Sequence, residues 1–503
     1  MVVVLFVSGC TKLGPEYKRE QTVQMPKAFI KDTNTTDQEL VSWWNMFHDN
    51  TLDTLIEKAY SNNFDIAQAG VRILQARTLL GLSKGFRYPQ VQTLSGSAVS
   101  SLSNSKNINA IGVSFDVTWE MDFWGKYARE IESSEANLYL SVASYRDIMT
   151  TVVAEVARNY INYTVAQERI VYAKRNIAIQ KRVVAMTEVQ FNSGNVSELD
   201  VQQAKTQLYS TRSKLPALEL SKVQAFNALR LLLGISQEDL QKILHNKDAM
   251  QEQLLIENQQ KITKVNLTPL GDFNPYAKLD ASLLQRRPDV QVAEFKAKSA
   301  SAKIGATQAL LYPSFVLFGS LGFSSNDMFG GFTSLEDSVR VSAGPGFSWN
   351  ILQYGRIKNQ IRFQDAVFQE SMLAYNKTLL RAINDLSNAL NGYVYTKKQL
   401  YENELALKAT QRAFELSSKQ YNDGLVSYQR LLSTVEKLTF TQDIYAQIKG
   451  LVAINEILVY KALGGGWQNQ KSAPYISEKT LKSLKNRGVD WGDYLDDVKV
   501  EHE

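Results

Sequence analysis

The chain of 503 residues is 44% hydrophobic and 21% charged, with a formal net charge of +5. That length suits two to four ordinary domains, and the balance excludes both a disordered chain and a plainly helical membrane protein. Lys and Arg are interspersed with Glu and Asp along helical stretches, as on solvated helix faces, which argues against a nucleic-acid surface; no run of eighteen apolar residues marks a transmembrane helix.

The opening MVVVLFVSGC ends at Cys10, the single cysteine, so an intramolecular disulfide is impossible. The short apolar run closing on Val7-Ser8-Gly9-Cys10 resembles the end of a bacterial lipoprotein signal peptide, whose cysteine is acylated. An ordinary apolar N-terminus with an incidental cysteine is the alternative. A basic n-region is missing, so the signal is expected to begin upstream of Met1. Thr11, standing where an Asp often marks inner-membrane retention, fits outer-membrane sorting.

Residues 11–42 read as extended, and a helix is expected over Asp65–Lys84. After Pro89 come QVQTLSGSAVSSL, a polar loop SNSKNINA, and IGVSFDVTWEMD. In the last of these Val113, Phe115, Val117, Trp119 and Met121 share one side, and Ser114, Asp116, Thr118, Glu120 and Asp122 the other. Past Phe123-Trp124-Gly125 the pattern turns helical. Apolar or small positions run from Val142, Tyr145, Met149, Val152 and Val156 to Phe191 in alternating steps of four and three, a heptad spacing that indicates coiled-coil packing. No proline interrupts it, and the helix would span ~100 Å. In FNSGNVSELD, Gly194 suits a left-handed C′ position, Ser197 an N-cap and Asp200 the acid of a capping box. The chain then returns through a helix interrupted or started at Pro216 and finishes near Gly234. Residues 236–286 form a mixed connector holding Pro269 and Pro275.

The pattern is then repeated. Trp119, Gly125, Phe191, Gly194 and Ser197 each have a counterpart at one constant offset, in Trp349, Gly355, Tyr421, Gly424 and Ser427. Earlier landmarks, Asp65 with Asp289 and Tyr88-Pro89 with Tyr312-Pro313, share an offset smaller by six, and a longer hairpin loop in the second half accounts for the difference. Chance matches would not share one offset over so long a stretch. The second half therefore predicts a helix over Pro288–Leu310, with Pro288 in its first turn, then two strands, a heptad helix and its return past Gly424. In those strands Phe315, Leu317, Leu321 and Phe323, then Val339, Val341, Ala343 and Phe347, take one side.

Strands of about ten residues, apolar on one face and small or polar on the other, are the signature of a transmembrane barrel wall. An ordinary antiparallel sheet on a soluble core gives the same alternation. Four strands cannot close a membrane barrel, and open edges are not tolerated in lipid, so copies of the chain must supply the rest.

Taken together, Cys10 with GPEY (Gly14–Tyr17), SWWNMFHDNTLDTLIEKAYSNNFDI (Ser42–Ile66), RRPDVQVAE (Arg286–Glu294), FSWNILQYGRI (Phe347–Ile357) and YKALGGGW (Tyr460–Trp467) resemble the TolC family of outer-membrane efflux factors, in its lipoprotein branch. The resemblance covers the chain up to Trp467. It implies a mainly α fold with a transmembrane β-barrel portion, as a homotrimer with a twelve-stranded β-barrel continuous with a twelve-stranded helical barrel. It divides the chain into a signal remnant at 1–10, an extended segment and equatorial helix at 11–63, a first repeat at 64–235, an equatorial connector at 236–286, a second repeat at 287–466, and a tail at 467–503 that stays unassigned.

The function implied is a passive exit duct across periplasm and outer membrane, with a periplasmic membrane-fusion adaptor and an inner-membrane RND-type pump as partners. A duct for type I protein or peptide secretion is the alternative, and a periplasmic coiled-coil scaffold without a pore a third. Gly194 and Gly424 would form the periplasmic tips. Relatives often carry an acid just before the second tip, where this chain has Ser418; Glu415, Asp423, Glu198 and Asp200 are the nearby acids, as aperture groups or as turn and capping residues. Trp119, Phe123, Trp124, Trp349 and Tyr354, where strands become helices, suit an interfacial aromatic belt, with plain core packing as the other reading. His48, His245 and His502 share no ligand spacing, the Met residues are scattered, and neither a nucleophile motif nor a phosphate loop is seen. Neither enzymatic activity, nor a metal, nor a cofactor beyond lipid on Cys10 is expected.

Overall fold

A computed structural model describes residues 12–19, 40–103, 106–257, 264–273, 282–325, 338–470 and 473–496; Cys10, the expected acylation site, lies outside them. The first half runs α1 (Asn50–Asn62), α2 (Phe64–Gly85), β1 (Val91–Ser103), β2 (Lys106–Met121), α3 (Lys126–Asn192), α4 (Glu198–Leu233) and α5 (Gln237–Glu257). The second runs α6 (Pro288–Ala309), β3 (Ser314–Ser325), β4 (Val339–Ser348), α7 (Arg356–Asn422) and α8 (Tyr428–Ala462), followed by a tail with α9 (Glu478–Lys485). The long helices α3 and α7 have 67 residues each, about 100 Å of helix. Among the described residues no helix is long and apolar enough to cross a membrane.

The duplication is visible in the backbone. Gly125 and Gly355 open the long helices with φ of 70° and 77°, and Gly194 and Gly424 close them with φ of 76° and 72°. Each closing turn is a Schellman motif: Asn195 N–H donates to Gln190 O (2.9 Å) as Leu425 N–H donates to Gln420 O (2.8 Å). The heptad positions that face a neighbour are buried, among them Tyr145, Met149, Val152 and Val156 on α3 and Tyr375, Leu379, Ala382 and Leu386 on α7.

The four strands form one antiparallel sheet in the order β1-β2-β3-β4. Its register aligns Leu94, Phe115, Leu321 and Val341 in one row, and Val113, Phe323 and Val339 in another, on one face. Rows such as Ser95, Ser114, Gly322 and Arg340, or Thr93, Asp116, Ser320 and Ser342, occupy the opposite face. Among the described residues both outer strands, β1 and β4, keep one hydrogen-bonding edge without a partner strand.

A register difference separates the two hairpins. Ser348 pairs with Ser314, the residue directly after Pro313, but its counterpart Thr118 pairs with Val91, two residues after Pro89. Gln90 is the insertion, and its side chain replaces the missing ladder: Oε1 accepts from Glu120 N–H (2.7 Å) and Nε2 donates to Glu120 O (3.1 Å). Within the strands, Ser314 therefore corresponds to Val91, one position off the offset that matches Pro313 with Pro89. Trp119 lies opposite Leu317, and Leu317 opposite Pro345, four residues short of Trp349. If one axis relates the repeats and holds both tryptophans level, the strands lean roughly 55° from it, given ~3.3 Å per residue and ~4.8 Å between strands.

Two expectations need correction. Most of SNSKNINA belongs to strands, not to a loop: β1 ends at Ser103, β2 starts at Lys106 and pairs back to it, giving strands of 13 and 16 residues in place of ten. Helix α4 runs through Pro216 unbroken, because that residue sits on an exposed face where water can satisfy the carbonyl its ring displaces.

A core forms midway along the long helices, from Trp43, Trp44 and Phe47 with Leu52, Ile56, Ile73, Tyr160, Leu229 and Leu240. Trp43 stacks on Tyr460 (5.5 Å). The tail joins this core through Tyr475, Ile476, Leu484 and Leu495, passing α2 at Gly70, where a Cβ would meet the Tyr475 carbonyl oxygen at 1.7 Å.

Residues 264–273 lie across the middle of the helices as a belt held by its own backbone groups. Val265 N–H donates to the Tyr172 hydroxyl (3.0 Å), Leu267 and Thr268 N–H to Glu168 Oε2 (3.2 and 3.1 Å), and Gly271 N–H to Glu456 Oε2 (2.9 Å). Lys449 Nζ bridges Glu168 (3.2 Å) and Asn266 Oδ1 (2.7 Å), a buried ion pair whose charges are also hydrogen-bonded.

Burial holds the Glu456 carboxyl up at about 7, against the Gly271 N–H that lowers it. The folded state thus holds this proton more tightly than the unfolded chain. The contribution is fully present below the ordinary carboxylate range and is lost as pH rises through about 7. Hydrogen exchange at Gly271 and its neighbours is expected to slow, after correction for intrinsic rates, as pH falls from about 8 to 5, and Glu456→Gln should flatten that dependence.

Candidate functional site

The functional features lie at three levels along the molecule: the sheet, the junctions where strands become helices, and the helical tips. On the polar face of the sheet, serine, threonine and glycine predominate. Ser114 Oγ donates to Asp116 Oδ2 (2.9 Å), and Ser95 and Ser114 hydroxyls meet at 2.9 Å across β1 and β2. The other face exposes Leu94, Phe115, Leu321, Val341 and Phe347. An exposed apolar face backed by hydroxyl groups suits a wall between hydrocarbon and water.

At the junctions the aromatic residues divide. Trp119 Nε1–H donates to Arg87 O (3.2 Å), and Trp349 Nε1–H donates to Leu311 O (3.0 Å), the same bond one repeat apart. Trp124 stacks on Tyr312 (4.7 Å) and donates to Pro313 O (2.8 Å), and Phe123 meets Phe315 edge-on (5.0 Å). Tyr354, the counterpart of Trp124, is 97% exposed and has φ of 50° without being glycine.

The first junction carries a cap that sequence reasoning missed. Asp122 accepts from Tyr127 N–H (3.1 Å) and Ala128 N–H (2.8 Å), the orphan donors at the start of α3. Its counterpart in the second repeat is Leu352, which is exposed. An acid three residues ahead of the helix-opening glycine was the available signal. Glu120 accepts from Lys126 Nζ (3.1 Å) and the Tyr127 hydroxyl (2.7 Å) beside it.

Residues 12–19 dock at the same junction. Arg129, fully buried, donates to Leu13 O (2.8 Å), Gly14 O (3.1 Å), Glu16 (2.9 Å) and Glu132 (2.8 Å). Gly14 has φ of 90° and abuts Gly305, where a Cβ would meet Gly305 Cα at 2.4 Å. GPEY showed in the sequence as a motif; Arg129 looked like any helix-face cation.

At the tips, Val183, Val184, Ala204 and Leu208 of the first hairpin pack with Phe414, Tyr421, Tyr428 and Leu431 of the second. The acids differ in what binds them. Asp200 Oδ2 accepts from Ser197 N–H (3.0 Å) and Oγ (2.9 Å), completing a capping box. Glu415 pairs with Arg412 (3.1 Å) in a surface bridge, and Glu198 faces solvent in the first turn of α4. Asp423 is the exposed C-cap of α7. Burial, with the Asp200 charge contributing, holds the Tyr421 and Tyr428 phenols above their ordinary range.

The family described as outer membrane efflux protein matches residues 55–235 and 280–465. The chain is similar to the probable outer membrane lipoprotein SilC of Salmonella typhimurium, 28% identical over 92% of this chain and 97% of that one. It is 26% identical to the cation efflux system protein CusC of Escherichia coli K12 over 92% and 98% of the two chains, and 25% identical to the pyoverdine export outer membrane protein OpmQ of Pseudomonas aeruginosa over 86% and 89%. Among solved structures, CusC superposes with a TM-score of 0.76 at 26% identity, covering 90% of this chain and all of that one. The outer-membrane channel OprN gives 0.77 at 25%, over 91% and 100%.

Replacing Arg129 by Met is expected to release residues 12–19, losing about 1.5–3 kcal/mol for each charged hydrogen bond removed. Limited proteolysis should then cut the segment in the variant while sparing the helices; equal resistance in both proteins would contradict the clamp.

Proposed function

This chain belongs to the outer membrane efflux protein family, and from that premise we propose that three copies form the passive exit duct of a tripartite efflux pump. Their four-stranded sheets close a twelve-stranded barrel in the outer membrane, and α3, α4, α7 and α8 of each copy continue it as a helical tunnel. The observation that supports this most is the sheet, with one apolar face, one hydroxyl-rich face and, among the described residues, both edges unpaired.

The docked segment 12–19 brings the chain to within two residues of Cys10 at the strand–helix junction, beside Gly125. Acylated Cys10 there enters the inner leaflet of the outer membrane. The tips reach toward a periplasmic membrane-fusion adaptor, and behind it an inner-membrane RND-type pump. CusC and OpmQ are named for a cation and for pyoverdine, chemically unlike cargoes. A wall of serine, threonine and glycine has little with which to discriminate them, so choice of substrate rests with the pump.

Deleting the gene from its host is expected to raise sensitivity to small toxic compounds, with recovery on complementation. Unchanged sensitivity with loss of a secreted protein would assign the duct to type I secretion.

At the tips, Asp423 is the aperture acid of this reading, Asp200 being engaged as a cap and Glu415 by Arg412. Asp423→Asn is expected to lower the cation-over-anion permeability ratio in planar bilayers. Asp200→Asn should chiefly weaken the α4 cap, by roughly 1 kcal/mol. Unaltered selectivity in the first variant would remove Asp423 from the aperture.

A further inference from the structure

The internal duplication carries information about a contact the single chain does not contain. Inside the chain, the end of the first repeat meets the start of the second along β2 and β3, and between α3 and α6. The end of the second repeat, β4 and α7, has no third repeat to meet. The start of the first, β1 and α2, has none before it. In a ring, each must meet the other on a neighbouring copy.

We infer that the subunit boundary reproduces the β2–β3 boundary residue for residue, so that β4 pairs antiparallel with β1 of the partner subunit in one register: Ser342 opposite Ser101, Ser348 opposite Ser95, and Trp349 opposite Leu94 of the partner subunit. The inference rests on the trimer reading and adds the register. Pairs are obtained from Gly112↔Ser324, Thr118↔Phe318 and Trp119↔Leu317. The β2 member moves forward by the offset that carries Trp119 to Trp349, and the β3 member back by the one that carries Ser314 to Val91. The second offset includes the Gln90 insertion. Without that correction Phe347 would fall opposite Ser95 of the partner subunit, and an apolar-face residue would be paired with a polar-face one, which the pleat forbids.

Two independent features agree. Trp124 stacks on Tyr312 at the inner boundary, and their counterparts are Tyr354 and Tyr88, 97% and 69% exposed. Stacking of Tyr354 on Tyr88 of the partner subunit supplies the cover that an exposed aromatic in left-handed backbone lacks in the single chain. Next, α6 packs against both α3 and α7, whereas α2 packs against α3. The α3 residues Ser133 and Ala143 are buried, Ser133 bonding Ser299 of α6 (2.9 Å); their counterparts Phe363 and Leu373 on α7 are exposed. Larger side chains wait there for α2 of the partner subunit, whose Leu79 and Leu82 are exposed. By construction, this register gives each subunit boundary the same four-residue step that separates the repeats within the chain, so all six junctions of a trimer are level.

The test is cysteine crosslinking of the full-length, membrane-inserted protein, with native mass spectrometry of the detergent-extracted species. Ser101→Cys combined with Ser342→Cys, two near-isosteric changes on the polar face, should yield disulfide-linked dimers and trimers on oxidation. Ser95→Cys with Ser348→Cys should do the same, in case one pair disturbs insertion. Gly112→Cys with Ser324→Cys, the counterpart pair inside the chain, should oxidise without linking chains. Ser101→Cys with Arg340→Cys or with Gly344→Cys tests a slip of two residues, and each should link chains at least about tenfold less. Stronger linkage in a slipped pair, or a native trimer that neither expected pair links, overturns the register and leaves the duct standing. A monomer by native mass spectrometry overturns both.

Discussion

Backbone polar groups in hydrocarbon have only one another for partners, and the architecture of this chain follows from that. A sheet of four strands with a greasy face cannot sit in lipid alone, because two of its edges remain open. Closure requires other strands, and a chain built from two similar halves obtains them by meeting copies of itself the way its halves meet each other. Equal helices of 67 residues, glycines with matching left-handed φ at both ends, and matching tryptophan hydrogen bonds are then geometric necessities.

The halves are not interchangeable where they touch the rest of the chain. Helix α3 is covered on several sides, by α2, α4, α6, α8 and the belt, and it buries polar groups to hold what covers it: Glu168 binds the belt, and Gln167 and Arg175 bind α5. Helix α7 buries mainly one stripe and leaves Phe363, Leu373 and Leu380 exposed. The first junction is fixed by the Asp122 cap and the Arg129 clamp, and the second has Leu352 and Tyr354 in those surroundings. Such asymmetry gives one half the task of securing residues 12–19 and leaves the other an exposed apolar face.

Much of this was legible because repetition averages out local ambiguity. Heptads marked the buried stripe from Tyr145 to Val156, strand alternation separated Phe115 from Asp116, and Gly194 with Ser197 marked a turn whose bonds are those of a Schellman motif and a capping box. What escaped depends on contacts distant in sequence. Nothing around Arg129 distinguishes it from other helix-face cations until Leu13 and Gly14 present their carbonyls. The ladder over Lys106–Asn109 defeats a hydropathy reading, since a polar sequence pairs as well as an apolar one once it stands above the lipid. Pro216 failed to break α4 because an exposed helix face forgives a lost bond.

The four-residue step between repeats has a mechanical meaning. Strands leaning at roughly 55° advance only about 1.9 Å per residue along the axis, so an apolar band ~25 Å tall takes about 13 residues to traverse, against about ten at 40°. The same shear widens the ring. Twelve strands ~4.8 Å apart, cut obliquely, enclose a circle about 32 Å across between backbones, where upright strands would enclose about 18 Å. The bore is thus set by how far one repeat slides past the next, a quantity fixed by hydrogen-bond register and indifferent to the identity of the side chains lining it.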